Sequence, residues 1–186
     1  MVYTIGYAGI TLDKFLETMK ELNISMLIDV RSLPKSRYFY QFNDVSLKNL
    51  LNSIGVAYEN WKNEFGARQD NLDFYQDGIL DYDIFSKSEQ FKNGINKVKE
   101  LQKENKNICL MCSEIDPINC HRAILCGRYI SKENIEVKHI IAKRDGSIKI
   151  ENHKDFEKRL IVETKIDNFD EAYQKINKKI GYKLTI

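Results

Sequence analysis

Along most of this chain, short runs of alternating or continuously apolar residues give way to apolar positions spaced three and four apart, and then return. Val2 to Tyr7 is β-branched and aromatic and is broken at Gly9, which predicts a buried first strand. Leu12, Phe15, Leu16, Met19 and Leu22 follow at helical spacing, with Asn23 as the C-cap. Ser25 to Val30 predicts a second strand that ends on Asp29-Val30-Arg31, followed by a loop with Pro34. Ser46 is expected to cap a helix that buries Leu47, Leu50, Leu51 and Ile54 and stops at Gly55. Val56 to Trp61 is a candidate third strand.

Residues 62–82 follow neither period; they are read as a functional lid or as a small helix that the pattern does not reveal. Ser88 then caps a long helix through Phe91, Ile95, Val98 and Leu101, and Ile108 to Cys112 is the most apolar strand. Asn119 is expected to cap a helix from Cys120 to about Ser131. Val137 to Ala142 predicts a strand, Asp145-Gly146 a tight hairpin turn into Ser147 to Ile150, and Asn152 to Leu160 a helix. Strands alternating with amphipathic helices predict an α/β fold: one domain with a mainly parallel central sheet flanked by helices, Rossmann-like and three-layered. The domain is expected over 1–162, with 163–186 as a helical or partly disordered extension. Pro34 and Pro117, the two prolines, fall just beyond strands that should share one sheet edge, where ligands of such sheets bind.

Composition adds bounds. The 186 residues carry 29 basic and 27 acidic side chains, a net charge of +2, with 42% hydrophobic and 30% charged positions. That is enough apolar residue to build a core and too little charge for a nucleic-acid coat protein held by electrostatics alone, although a local basic patch stays open. No run approaches the ~20 apolar residues of a membrane span, and the first residues do not resemble a signal peptide. A cytoplasmic location is the expectation. In that setting Cys109, Cys112, Cys120 and Cys126 are read as core, metal-binding or catalytic groups before disulfides.

The densest chemistry lies in Cys112-Ser113-Glu114-Ile115-Asp116-Pro117-Ile118-Asn119-Cys120-His121-Arg122: a strand end, an acidic turn, and Cys-His-Arg in the expected first turn of a helix. A helix N-terminus attracts anions and stabilises a thiolate, and Arg122 offers a planar fork for phosphate or carboxylate. The blander alternative is that Cys120 packs, His121 caps and Arg122 pairs with Glu114 or Asp116. A metal site from Cys112, Cys120 and His121 is disfavoured, because seven residues separate the cysteines and adjacent helical residues point about 100° apart. Cys109 and Cys112 form a CxxC, but inside a strand they face opposite sides, unlike a disulfide exchanger.

A second segment, Asp29 to Asn43, places Arg31, Lys35 and Arg37 before four aromatics, Tyr38, Phe39, Tyr40 and Phe42. Cations beside aromatic rings suit phosphates and stacked bases; equally, the rings could fold back onto the core. Asp29, at the end of an apolar strand, needs a partner such as Arg31 or Arg122, or else serves as a general acid or base. His139 and His153 are read first as structural hydrogen-bonding groups.

Taken together these segments resemble the bacterial and archaeal family called "domain of unknown function 488", over about residues 3–162. Thr4-Ile5-Gly6-Tyr7 is similar to its Thr-Ile-Gly-His, with Tyr7 in place of the histidine. Asp29-Val30-Arg31, Pro34, Ser36-Arg37 and Phe42-Asn43 follow its Asp-Val-Arg…Pro…Ser-Arg…Phe-Asn pattern, and Glu64 to Arg68 is similar to its Leu-Gly-Gly-Arg segment, departing at Phe65 and Ala67. Cys112-Ser113-Glu114 to Cys120-His121-Arg122 resembles its most specific signature, and His139-Ile140, Asp145-Gly146 and His153 its closing one. The resemblance implies an α/β fold and grouped motif residues; it names no substrate.

The sequence therefore leads to an enzyme acting on a phosphate-bearing substrate, a nucleotide or nucleic acid, by hydrolysis or group transfer. Asp29, Glu114, Cys120 and His121 are the expected catalytic residues, and Arg31, Arg37, Asn43, Arg68 and Arg122 the expected anion-binding ones. Absence of a Gly-x-Gly-x-x-Gly motif and a P-loop argues against redox work. No cofactor and no membrane partner are expected. The alternatives are a nucleotide-, anion- or nucleic-acid-binding module without turnover, and a small structural metal domain.

Overall fold

The computed structural model describes residues 1–184. Five strands run parallel: β1 (Val2–Gly6), β2 (Ile24–Asp29), β3 (Ala57–Asn60), β6 (Asn107–Cys112) and β7 (Val137–Ala142). β8 (Ile148–Asn152) returns antiparallel to β7, giving the order β3-β2-β6-β1-β7-β8. Period-two alternation divides the core. Tyr3, Ile5, Leu27, Cys109 and Met111 face Phe15 and Met19 of α1 (Leu12–Glu21) and Leu47 and Leu51 of α2 (Asp44–Ser53). Val2, Ile28, Ile108 and Leu110 face the opposite layer, with Phe65 of α3 (Lys62–Phe65), Phe85 of α4 (Tyr82–Phe85), Phe91 and Val98 of α5 (Glu89–Lys103), and Ile124 and Ile130. The expected three-layer α/β architecture is what the chain adopts. No helix among the described residues is long and apolar enough to cross a membrane.

β6 inserts between β2 and β1, so β1 and β6 are neighbours whose following segments leave toward opposite faces of the sheet. Such a switch point opens a crevice at the carboxyl ends of the two strands. Gly6 and Cys112, paired in register, stand at its lip.

Local departures from the sequence pattern have identifiable causes. Ser88 caps α5 as expected, its hydroxyl accepting from the Phe91 amide. Ser46 does not cap α2; Asn43 occupies that position, and its side chain is turned to the Ser36 amide instead. Residues 62–82 are ordered pieces: α3, a 3-10 turn at Leu72–Phe74, and a hairpin of β4 (Tyr75–Gln76) and β5 (Ile79–Leu80) turning on Asp77 and Gly78, both at positive φ.

The larger difference lies after β6. In place of one helix from Cys120 to Ser131 there is a 3-10 turn at Pro117–Asn119, a break, a π-helical turn at Arg122–Gly127 and then α6 (Arg128–Lys132). Asp116, not Asn119, caps the first turn, accepting from the Ile118 amide. α7 (His153–Thr164) and α8 (Phe169–Ile180) close the layer, and Ala172, Tyr173 and Ile176 of α8 are buried in the core. Residues 163–184 thus pack with the sheet domain.

Candidate functional site at the carboxyl edge

The two proline loops meet. His121 donates Nε2–H to the carbonyl of Val30 at 3.0 Å, which joins the turn after β6 to the end of β2. Between them opens a cleft of about 390 Å³, lined by Tyr7, Arg31, Lys35, Arg68, Cys112, Glu114, His121 and Tyr182 among others.

Its floor is a cluster that a helical residue 120 would disfavour. Cys120 is extended (φ −141°, ψ 135°), so the chain doubles back after Pro117–Asn119 instead of carrying Cys120 and His121 round a helix. One ligand atom from each of Cys112, Glu114, Cys120 and His121 lies within 4.8 Å of the other three. Glu114 Oε2 is 2.9 Å from Cys112 Sγ and 3.0 Å from Cys120 Sγ. His121 Nδ1 is 3.6 Å and 3.9 Å from the same two sulfurs. Because a carbonyl can only accept, the Val30 bond fixes the proton on Nε2 and turns Nδ1 toward the thiols.

Burial penalises charge throughout this cluster. At Glu114 the thiol hydrogen bonds and the charge on His121 outweigh it and hold the carboxyl at about 2. At Cys112 burial prevails and pushes the thiol up; at Cys120 the hydrogen bond to Cys112, with Arg122 and His121, overcomes it and brings the thiol down. His121 is raised despite its burial, by Cys120 and Glu114. The stabilising charges therefore come from side chains around Cys120 and not from a helix end. Cys109 and Cys126 lie in the apolar core, Cys109 on the opposite sheet face from Cys112.

Two expected residues prove to be supports. Asp29, fully buried, accepts from Arg31 Nε at 2.9 Å, from Arg31 Nη2 at 2.6 Å and from the Tyr58 hydroxyl at 2.7 Å. Those partners, with the Arg31 amide at 3.0 Å, occupy its lone pairs and hold the Arg31 guanidinium in place. Arg122 is fully buried as well, but its partners are not the acids Glu114 or Asp116. Nη1 donates to the Glu114 carbonyl at 2.5 Å and Nη2 to the Ile115 carbonyl at 3.0 Å, which holds the acidic loop in place and leaves no fork for a ligand. Asp116 pairs with Arg159 at 3.0 Å.

Of the remaining expected anion binders, Arg31 and Arg68 line the cleft, whereas Arg37 and Asn43 do not. Arg37 is exposed on the loop, and Asn43 is engaged with the Ser36 amide at 2.6 Å. Arg31 keeps one buried guanidinium nitrogen, Nη1, without a partner. Its guanidinium lies over the Tyr7 ring, 5.0 Å from the centroid, and Tyr7 stacks on Phe42 at 4.7 Å. The loop aromatics divide: Phe39 and Phe42 join the core, while Tyr38 and Tyr40 stand in solvent.

Sequence reasoning did not assign Tyr7, Lys35, Cys112 or Tyr182 to the cleft. Lys35 carried a signal in the basic count of its loop and Cys112 in its place at a strand end. Tyr182 carried none, since it reaches the cleft from after α8, where its ring sits 4.6 Å from the Arg68 guanidinium.

Comparison with known proteins adds one relationship. No curated protein and no solved structure matches the chain. Residues 11–129 match the family model described as Domain of unknown function DUF488, a stretch that holds Asp29, Arg31, Arg68 and the whole segment from Cys112 to Arg122. With more than half of its length covered by that match, the chain belongs to this family.

Proposed function

We propose that the chain is an enzyme that acts on a phosphate-bearing substrate, a nucleotide or a nucleic acid, by hydrolysis or group transfer. One observation carries the reading: a single cleft joins cationic side chains, Arg31, Lys35 and Arg68, to a floor of Cys112, Glu114 and His121 backed by Cys120. Arg31, Lys35 and Arg68 set against one carboxylate give the cleft lining an excess of positive charge, which supports an anionic occupant. Exposed Tyr38 and Tyr40 on the same loop supply faces on which bases could stack. Glu114 is the one carboxylate among the lining residues and, held ionised, is the group placed to accept a proton from a bound molecule.

The test is a thermal-shift and calorimetric titration with phosphate, pyrophosphate, nucleotides and short oligonucleotides, followed by product analysis. Binding that disappears in a Lys35→Ala/Arg68→Ala protein, with turnover lost in Glu114→Gln, supports the proposal. No anion binding by the unaltered chain overturns it. A second reading, a binding module without turnover, is favoured by the depth of Cys120, only 2% exposed. Saturable binding with no product would select that reading.

A further inference from the structure

We propose that Cys112, Cys120 and His121, with Glu114 as the fourth ligand, form a binding site for a zinc-type divalent metal ion. The donor set is the first support. Two thiols, an imidazole nitrogen and a carboxylate are the ligand types that tetrahedral zinc takes, and all four ligand atoms lie within 4.8 Å of one another. Zinc bound at about 2.3 Å to sulfur and about 2.0–2.1 Å to nitrogen leaves its sulfur and nitrogen ligands about 3.6 Å apart at a tetrahedral angle. The two sulfur-to-Nδ1 separations, 3.6 Å and 3.9 Å, lie near that edge, whereas Glu114 Oε2, hydrogen-bonded at 2.9 Å and 3.0 Å from the sulfurs, would shift outward by about half an ångström to ligate.

The surroundings are the second support. A metal-bound imidazole ordinarily donates its other N–H to a carbonyl or carboxylate, which fixes the tautomer and the ring plane. His121 does so to Val30 at 3.0 Å, leaving Nδ1 as the ring nitrogen toward the sulfurs, the atom a metal ion would take as its proton is released. Arg122 holds the Glu114 and Ile115 carbonyls, so the loop bearing the fourth ligand is pinned before any ion arrives. A carboxylate oxygen within 3.0 Å of each of two thiols is an assembly of would-be anions that a cation satisfies. Glu114 faces the cleft and is the most exposed of the four, which makes it the ligand that an incoming molecule would displace. The site stands whether or not the cleft turns over a substrate.

The experiment uses the reduced full-length chain, without a histidine tag, purified from zinc-supplemented cells. Elemental analysis is expected to find about one equivalent of zinc, as for a closed four-ligand site. Cobalt(II) added to the metal-free protein is expected to produce an intense thiolate-to-cobalt charge-transfer band and the visible bands of tetrahedral coordination. Cys112→Ser and Cys120→Ser each remove those bands, Cys126→Ser retains them, and Glu114→Gln weakens cobalt binding in competition with a chromophoric chelator. Circular dichroism verifies the fold of each variant, and the unaltered chain gives an answer that no variant can spoil. Absence of a thiolate-to-cobalt band in the unaltered chain overturns the proposal, as does a band that survives loss of both Cys112 and Cys120. Phosphate or nucleotide binding measured on the metal-free protein separates the two ideas. If it persists without a metal site, only this inference fails; if the metal binds and anions do not, only the proposed function fails.

Discussion

His121 and Val30, 91 positions apart, are joined by a hydrogen bond of 3.0 Å from the imidazole Nε2 to a backbone carbonyl. That bond welds the Cys-His-Arg turn to the loop bearing Arg31, and the consequences for stability and binding can be measured at the residues on either side of it.

Asp29→Ala is expected to destabilise the protein by about 3–5 kcal/mol, because it strands the Arg31 guanidinium in a buried site without its carboxylate. Arg31 is only 6% exposed, and Asp29 accepts two of the three hydrogen bonds its guanidinium donates, the Phe42 carbonyl taking the third at 2.7 Å. Urea unfolding reads the loss directly. A change below about 0.5 kcal/mol, the size of an ordinary surface substitution, would contradict the pairing.

Arg68→Ala separates binding from folding. The side chain is exposed and rests on Tyr182, so the unfolding free energy should move by no more than about 0.5 kcal/mol. Affinity for an anionic ligand should fall about tenfold or more, the worth of one charge-assisted hydrogen bond. Isothermal titration on the folded variant checks both halves.

Gly6→Ala tests how closely the acidic loop lies over β1. A methyl group at Gly6 would stand 1.7 Å from the Glu114 carbonyl oxygen and 3.0 Å from Arg122 Nη1. The backbone of the loop must move, at a cost of at least about 1–3 kcal/mol for overpacking. Loss of the Glu114 position should accompany it. Reduced thermal stability together with altered reactivity of Cys112 toward a thiol reagent is the expected result.

Acid should destabilise the fold through a buried chain. Thr4 donates to His139 at 2.8 Å, His139 to His153 at 3.0 Å, His153 to the Tyr173 hydroxyl at 3.2 Å, and Tyr173 to Glu157 at 3.2 Å. Every donor meets an acceptor only while both imidazoles are neutral. Burial lowers both, His153 to about 4. Between that value and 6.5 the unfolded chain binds protons that the native state refuses, so stability falls as pH falls. His153 alone contributes about 3 kcal/mol across the window. Unfolding midpoints measured from neutral pH down to about pH 4 should decline, and His153→Gln should flatten the slope.

Periodicity made much of this architecture readable. Strands β1, β2, β6 and β7 and helix α5 follow their apolar spacing, because each buries one or both faces in a sheet or layer core. The hairpin at residues 75–80 also had a local signal, Asp77-Gly78, but its strands are two residues each, too short for alternation to register. The π-helical turn left no mark, since every residue from Arg122 to Gly127 is buried and no polar face remains to show a change of period. Within the site, the sequence identified which segments meet. It could not separate Arg31, held at the cleft wall, from Arg122, turned beneath the loop, because that depends on which carbonyls the tertiary fold leaves unpaired.

The cleft draws one wall from beyond the stretch shared with the family. The Leu80 amide donates to the Tyr182 carbonyl and the Leu184 amide to the Gly78 carbonyl, which ties the segment after α8 to the hairpin and holds Tyr182 over Arg68. Tyr7, at the opposite side, also lies outside residues 11–129. Tyr7 and Tyr182 thus stand as two aromatic jambs brought from opposite ends of the described chain, so the doorway takes shape only when both flanks have packed against the sheet.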